Sequence, residues 1–191
     1  MTVELTRDHL AALAAAAAEA STAAETIHAW GQQLADVLSS GGRLLACGNG
    51  GSAAEAQHLT GELVGRFRHD RRPYAAIALH TDTSAGTAII NDYGPDELYA
   101  RQVLAHGRSG DVLVGFSTSG SSSNVLAAAK AARDIGVTVW GLTGPAPNPL
   151  AAISDDVICV DAATVATVQE IHLSLVHALC LTFDHALGIE P

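Results

Sequence analysis

Two short segments combine glycine with hydroxyl residues in a way that suits anion binding. Residues 48–52 read G-N-G-G-S, and residues 117–123 read S-T-S-G-S-S-S. Glycines allow backbone N–H groups to approach a ligand closely, and hydroxyls add further donors. Each segment is predicted to follow a strand and to begin a helix, whose N-terminus carries partial positive charge. Either segment alone is also explained as an ordinary capped turn, but two at equivalent positions favour a phosphate site without Lys or Arg.

Neither segment carries the signature of a common nucleotide site. No G-K-[ST] follows either of them, and the first does not have the G-x-G-x-x-G spacing. ATP and NAD are therefore disfavoured, and a small phosphorylated molecule remains as the expected ligand. Ser52 is predicted to be the N-cap of the helix that follows the first segment.

Two pairs of polar side chains have helical spacing, and the first pair could share a metal ion or a proton. His58 and Glu62 are four residues apart in a helix predicted over residues 52–66, which places them on one face of that helix. Gln169 and His177 are eight residues apart in the last predicted helix and lie near one face of it. An ordinary helical ion pair and a hydrogen-bonded core histidine explain the same residues, so the spacing alone leaves these alternatives open.

An alternation of apolar runs and helical segments from residue 42 onward must position these side chains. The alternation predicts an α/β fold with a doubly wound, five-stranded parallel sheet. In such a sheet ligands bind beyond the carboxyl ends of the strands, where both segments are expected to lie. Strands are predicted at residues 43–47, 74–79, 112–116, 138–142 and 157–160, and helices at residues 52–66, 83–90, 95–106, 122–135 and 164–187.

The first 40 residues predict a separate helical arm. Residues 3–40 are rich in Ala, Leu, Glu and Gln and contain no Pro, which favours two helices with a break near Ser21 and Thr22. The arm carries no residues with an evident chemical role. We expect it to serve oligomer formation, although ordinary core packing explains it nearly as well.

Composition excludes several classes of protein. The chain has 191 residues, 48% hydrophobic and 16% charged, which excludes a disordered chain. Its formal net charge of −10 and the lack of a basic run make nucleic acid an unlikely partner. No uncharged apolar stretch is long enough to predict a membrane span, and no secretory leader is recognised, so a cytoplasmic protein is expected. The three cysteines are expected to be buried structural thiols.

Four motifs together carry a resemblance to a known family. They are C-G-N-G-G-S-A-A-E-A-Q-H-L-T-G-E-L at residues 47–63, N-D-Y-G at 91–94, S-T-S-G at 117–120 and Q-E-I-H-L-S-L-V-H at 169–177. The chain resembles the sugar isomerase (SIS) domain family over nearly its whole length, and within it the isomerases of sedoheptulose 7-phosphate. The resemblance implies a flavodoxin-like α/β fold forming a single SIS domain over residues 1–191, with residues 1–40 as an oligomerisation arm. It also implies a homotetramer whose active sites lie at subunit interfaces.

The resemblance further implies a role for individual residues. Phosphate would be held by the side chains of Ser52, Ser117, Thr118, Ser119 and Ser122 and by the backbone of Asn49, Gly50 and Gly51. Asn91 and Asp92 would contact the sugar, as would Glu62 and Gln169. A zinc ion, one per subunit, would be held by His58, Glu62, Gln169 and His177.

The activity implied is the conversion of D-sedoheptulose 7-phosphate to D-glycero-D-manno-heptose 7-phosphate through an enediol, early in heptose nucleotide biosynthesis. Such a reaction needs a base beside the carbon and an acid near the oxygens. The resemblance makes Glu62 the base and His177 its partner. Glu62 cannot easily be both a zinc ligand and a free base, and the sequence leaves this conflict open.

Two features depart from the family pattern or admit another interpretation. Many members carry D-R-I-Q before the last helix motif, whereas this chain has Ala166 at the acidic position, and Ser121 replaces a common Asn. The alternative hypothesis is a non-catalytic SIS adaptor similar to the DnaA initiator-associating protein. That adaptor lacks the second histidine of the last motif, so the presence of His177 favours the enzyme.

Overall fold

A sheet of five parallel strands organises the computed structural model, which describes residues 2–189. The strands are β1 (Leu44–Cys47), β2 (Ala76–Ala78), β3 (Val112–Ser117), β4 (Thr138–Thr143) and β5 (Asp156–Cys159). Their order is β2-β1-β3-β4-β5, and each neighbouring pair is parallel. The order reverses between β1 and β3, so the crevice beyond the carboxyl ends of these two strands is where a doubly wound sheet binds its ligand.

Helices cover both faces of the sheet. They are α1 (Thr2–Ala20), α2 (Ala24–Ser39), α3 (Gly51–Val64), α4 (Thr83–Tyr93), α5 (Glu97–His106), α6 (Ser123–Asp134), α7 (Pro149–Ile153) and α8 (Val165–Ala186). One apolar core lies between the sheet and α2, α3 and α8, and a second lies between the sheet and α5, α6 and α7. The predicted fold class is therefore confirmed.

The strands are apolar on both sides because both sides are covered. Every residue of β1 and β3 is buried, as is typical of strands in parallel sheets. Trp30 of α2 stacks on Trp140 of β4 with ring centroids 4.6 Å apart, and its indole N–H donates to Asp156 Oδ2 at 2.8 Å. This contact ties the helical arm to the far strands of the sheet.

The last helix, α8, is a core element of the domain. Among the described residues it is the one helix long and apolar enough to cross a membrane, and 44% of its most apolar window is buried inside the protein. It packs against α1, α2 and α3. These contacts are those of a core helix in a soluble protein, and they explain its apolar composition.

Some local predictions were wrong. The short helix α7 was not among the predicted helices, although Asn148 caps it by accepting from the backbone N–H of Ala151 at 2.9 Å. Cys47 and Cys180 are buried as predicted, but Cys159 is exposed. Cys159 is the last residue of the edge strand β5, and its Sγ accepts from the hydroxyl of Thr143 at 3.3 Å. The break in the arm does fall where it was predicted, as a 3-10 turn at Ser21–Ala23.

Candidate active site

The glycine segment forms a tight turn between β1 and α3. Gly50, and not Ser52 as predicted, takes the N-cap position, with a φ of +57°. Only glycine adopts this conformation without strain, and α3 begins at Gly51, one residue before Ser52. Ser52 instead lies in the first turn of α3 and is buried. The turn directs the N-terminus of α3 toward the crevice between β1 and β3.

Hydrogen bonds join the glycine segment to the start of α6. The side-chain amides of Asn49 and Asn124 each donate to the other at 2.9 Å. The phenol of Tyr99 donates to the carbonyl of Gly48 at 2.5 Å. Burial, together with the neighbouring Cys47 thiol, raises the pKa of Tyr99 to about 12, so the phenol remains a donor at neutral pH. The two segments are therefore parts of one rigid structure.

The serine segment presents a cluster of hydroxyls at the end of β3. Ser117 Oγ lies 3.1 Å from Ser122 Oγ and 3.5 Å from Ser119 Oγ, and Ser121 Oγ donates to Ser119 Oγ at 3.0 Å. Gly120 has a φ of +61°, and a Cβ there would lie 2.0 Å from the side chain of Asn148. The segment is thus held against the start of α7, with its hydroxyls beside the N-terminus of α6.

Two histidines and a glutamate converge beside these segments. His58 Nε2 lies 2.9 Å from His177 Nε2 and 3.1 Å from Glu62 Oε1. Ligand atoms of the three residues all lie within 4.8 Å of one another, the one such group of His, Cys, Asp and Glu among residues 2–189. The Glu62 side chain is 19% exposed and that of His58 is 41% exposed, so the group is open to a small ligand.

Gln169 connects this group to the glycine segment. A Cβ built on Gly51 would lie 2.5 Å from Gln169 Nε2, so the amide of Gln169 rests directly on the backbone of the turn. The two residues share with His58 a cleft of about 310 Å³. Its other lining residues are Ala54, Glu55, Glu170 and Leu173. The structure thus brings Gly51 of one predicted phosphate segment and two of the predicted metal ligands, His58 and Gln169, to a common cleft. His58 in turn contacts the other two predicted ligands, Glu62 and His177.

Asn91 and Asp92 are not among the residues that line this cleft. Both lie exposed in the last turn of α4, and their described side-chain hydrogen bond joins Asn91 Nδ2 to Asp92 Oδ1 at 2.7 Å. α4 buries none of its residues. No contact among the described residues brings either side chain to the glycine or serine segment, and their contact with a sugar stays a prediction.

Several residues that shape the site were not identified from the sequence. His172 is fully buried, its Nε2 donates to the carbonyl of Thr143 at 3.1 Å, and its Nδ1 lies 3.6 Å from the buried carboxylate of Glu55. Tyr99 and Asn124 fix the two segments as described above. The only sequence signal for such residues is a polar side chain at a position where the pattern expects an apolar one. His172 shows this signal within Q-E-I-H. Glu55 does not, because polar residues are common near the start of a helix.

Comparison with known proteins identifies the fold family. The family model described as SIS domain matches residues 8–144. The chain belongs to the SIS domain family. Among solved structures in that family, the phosphoheptose isomerase of Neisseria gonorrhoeae superposes with a TM-score of 0.89 at 42% identity, covering 97% of this chain and 100% of its own. The phosphoheptose isomerase of Francisella tularensis gives a TM-score of 0.91 at 34% identity, covering 97% and 99%.

SIS family members with curated names are closer still in sequence. The phosphoheptose isomerase of Streptomyces coelicolor is 68% identical over 158 residues, which is 83% of this chain and 68% of that protein. The phosphoheptose isomerase of Bordetella avium is 54% identical over 153 residues, 78% of each. Both of these relatives and both solved structures above carry the name phosphoheptose isomerase.

Proposed function

We propose that this chain is an aldose–ketose isomerase that converts D-sedoheptulose 7-phosphate to D-glycero-D-manno-heptose 7-phosphate, early in heptose nucleotide biosynthesis. The observation that carries the proposal is the cleft in which Gly51 of the glycine segment meets His58 and Gln169. Gly51 at the start of α3 lies in one cleft with His58, which contacts Glu62 and His177, and this supports an anion site near a proton-transfer group. Relatives named phosphoheptose isomerase, at up to 68% identity, support the same reaction.

The phosphate end of the substrate binds at the two joined segments. Backbone amides at residues 49–51 and the hydroxyl of Ser52 contact it from the start of α3. The hydroxyls of Ser117, Thr118, Ser119 and Ser122 contact it from the start of α6. Two helix N-termini then share one dianion, whose charge is stabilised without any basic side chain in a chain of net charge −10.

The reacting end of the substrate lies against Glu62 and His177. Glu62 takes a proton from C1 of the ketose while His177 protonates O2, and the product is a 1,2-enediol. Return of the proton from Glu62 to C2, with loss of the O1 proton to His177, leaves the aldose. Asn91, Asp92 and Gln169 contact the hydroxyls between the two ends.

The cluster of His58, Glu62 and His177 also fits a zinc ion. Tetrahedral zinc with nitrogen and oxygen ligands at about 2.0–2.1 Å holds neighbouring ligand atoms about 3.3 Å apart. The observed separations of 2.9 and 3.1 Å are close to that value, and the cleft adds the amide of Gln169. Zinc held there by His58, Glu62, Gln169 and His177 would act as a Lewis acid toward the sugar oxygens. The carboxylate of Glu62 has two oxygens, so that one would bind zinc while the other acts as the base. Activity measured at different zinc contents tests whether the base still works when zinc is bound.

We further propose a cytoplasmic homotetramer with active sites at subunit interfaces. The exposed apolar side chains of Val3, Leu5 and Leu10 on α1 support a role for the arm in association. The open cleft, which a neighbouring subunit would cover, supports shared sites. Light scattering gives the number of subunits in the purified protein and in a variant lacking residues 1–20, and so tests this assignment. A truncated protein with the same number of subunits would contradict it.

The adaptor hypothesis has no specific support in this site. It depends on the lack of the second histidine, and His177 is present and lies in contact with His58. The assignment would be reversed if this chain bound an initiator protein and turned over no ketose phosphate.

The direct test is turnover of sedoheptulose 7-phosphate in D₂O. We expect the aldose product to form and to carry deuterium at C2, because the enediol step exchanges protons with solvent. Glu62→Gln is expected to lower kcat by about 10²–10⁴-fold, whereas the matched surface variant Glu25→Gln keeps full activity. Retained activity in Glu62→Gln removes the base assignment, and a wild-type protein without turnover removes the proposed function.

A further inference from the structure

A single arginine, Arg71, is bonded to both helices that carry the proposed proton-transfer groups. It lies in the segment after α3, and its side chain is 4% exposed. Its Nε donates to Oδ1 of Asp184 on α8 at 2.8 Å. Its Nη2 donates to the backbone carbonyl of Glu62 at 2.7 Å, and its Nη1 donates to that of Leu63 at 3.0 Å. One buried guanidinium thus connects the end of α3 with α8.

The two carbonyls belong to the last turn of α3, which ends at Val64. Carbonyls at a helix C-terminus have no partner within the helix, and the last turn frays when they are not satisfied. The guanidinium donates to the carbonyl of Glu62 and shares the carbonyl of Leu63 with the backbone N–H of Tyr74, which donates to it at 3.0 Å. Its charge also interacts favourably with the negative end of the helix dipole. Glu62 therefore lies in a turn whose winding depends on Arg71.

The guanidinium is fixed in orientation as well as in position. The Tyr74 and Phe183 ring centroids each lie 5.4 Å from its Cζ, and the two rings meet edge to face at 5.2 Å. A planar group that stacks on aromatic rings and donates in several fixed directions is not replaced by the single ammonium group of lysine. The carbonyls of α3 and the carboxylate on α8 are therefore held at set distances from each other.

Asp184 stands in a defined relation to the other half of the site. It follows His177 by seven residues on α8, which is about two helical turns and the same helix face. We propose that Arg71 is a positioning residue of the isomerase. Through the carbonyl of Glu62 and the carboxylate of Asp184, it holds the side chains of Glu62 and His177 at their working separation. The proposal rests on the function proposed above, but its structural part can be tested separately.

The test compares Arg71→Lys with a matched control, Arg43→Lys. Arg43 forms a similar contact set, with its Nε 3.2 Å from Oδ2 of the buried Asp111 and its Nη1 donating to the carbonyl of His106 at 2.8 Å. It lies before β1, at the amino end of the sheet and away from the cleft. Both substitutions keep the positive charge and remove the one guanidinium nitrogen, Nε, that pairs with a buried carboxylate.

We expect Arg71→Lys to lower kcat by about 10- to 100-fold, because small displacements of catalytic groups have effects of this size. The KM is expected to change less than about twofold, since the phosphate segments are untouched. Hydrogen exchange of the backbone amides at residues 62–65 is expected to be at least about tenfold faster than in the wild type. Arg43→Lys is expected to match the wild type in all three quantities.

Other outcomes separate the proposal from its alternatives. Wild-type kcat or wild-type exchange at residues 62–65 in Arg71→Lys overturns it, as does an equal loss of kcat in Arg43→Lys. If Arg71→Lys does not fold, Asp184→Ala removes only the bond to α8, and an unchanged kcat in that variant overturns the proposal. A wild-type protein without isomerase activity removes the proposed function, whereas the exchange experiment still decides whether Arg71 holds the last turn of α3.

Discussion

His58 and His177 meet Nε2 to Nε2 at 2.9 Å although 119 residues separate them in the chain. They come from α3 and α8, and Glu62 Oε1 lies 3.1 Å from the same nitrogen of His58. Only one proton can lie between two facing imidazole nitrogens, so two protonated rings would repel each other. A cation between them removes that conflict.

Substitution of His58 is therefore expected to reduce metal binding. In His58→Gln, one of the nitrogen ligands is lost. Removal of a residue that only hydrogen-bonds a ligand lowers metal affinity by about 10- to 100-fold, and we expect loss of the ligand itself to lower zinc affinity further. Zinc content after dialysis against a weak chelator, measured by elemental analysis, checks this. His28→Gln, at an exposed position on α2, is the control, and equal zinc in the two variants would contradict the ligand assignment.

Loss of hydroxyls from the serine segment is expected to raise KM without a comparable fall in kcat. Ser119→Ala and Ser122→Ala each remove a donor to a charged phosphate, a contact worth about 1.5–3 kcal/mol, so KM should rise by about 10- to 100-fold. Steady-state kinetics and competitive inhibition by inorganic phosphate measure the effect. Ser40→Ala serves as the control because its hydroxyl donates only to the carbonyls of Asp36 and Val37. A pure kcat effect would place the phosphate elsewhere.

Two glycines of α3 provide a matched pair. A Cβ on Gly51 would lie 2.5 Å from the Gln169 amide, whereas a Cβ on Gly61 would meet nothing within 4 Å. Gly51→Ala should displace Gln169 and abolish most activity, while Gly61→Ala should keep activity and raise stability by about 0.5–1 kcal/mol, since alanine favours the helix. Thermal unfolding and turnover of both variants test this, and an active Gly51→Ala would show that Gln169 is not needed where it lies.

Stability is expected to decline on the acid side because of His80. Burial lowers the pKa of His80 from its ordinary value of 6.5, and its Nδ1 is buried without a hydrogen-bond partner among the described residues. The unfolded chain takes up this proton near pH 6.5 and the folded chain only at lower pH, so the free energy of unfolding falls as pH drops below about 6.5. Urea unfolding at pH 7.5 and pH 5.5 should show a smaller loss in His80→Gln than in the wild type and in His28→Gln. Equal losses in all three proteins would rule out His80 as the cause.

Much of the fold could be predicted because parallel strands and their helices leave a local signal. The apolar run at residues 112–116 and the serine segment after it specify strand, turn and helix from the chain itself. The short helix α7 was missed because five residues that begin with a proline carry too little periodicity to distinguish a helix from a loop. The position of the α3 cap was wrong because the turn angle at Gly50 is set by the direction in which β1 leaves the sheet.

For the site, residue types and spacing already determined the donors: a glycine turn, a hydroxyl cluster, a His–Glu pair four residues apart, and a Gln and a His on the last helix. Their convergence could not be determined in the same way, since spacing along one helix says nothing about which neighbour that helix faces. Packing of α3 against α8 decided it, and with it the contacts of Gln169 on Gly51 and of Arg71 with Asp184. Pairing of β1 with β3 brought Asn49 beside Asn124. Each of these joins residues far apart in sequence, and such pairs become neighbours only when burial of the two apolar cores fixes the helices on the sheet.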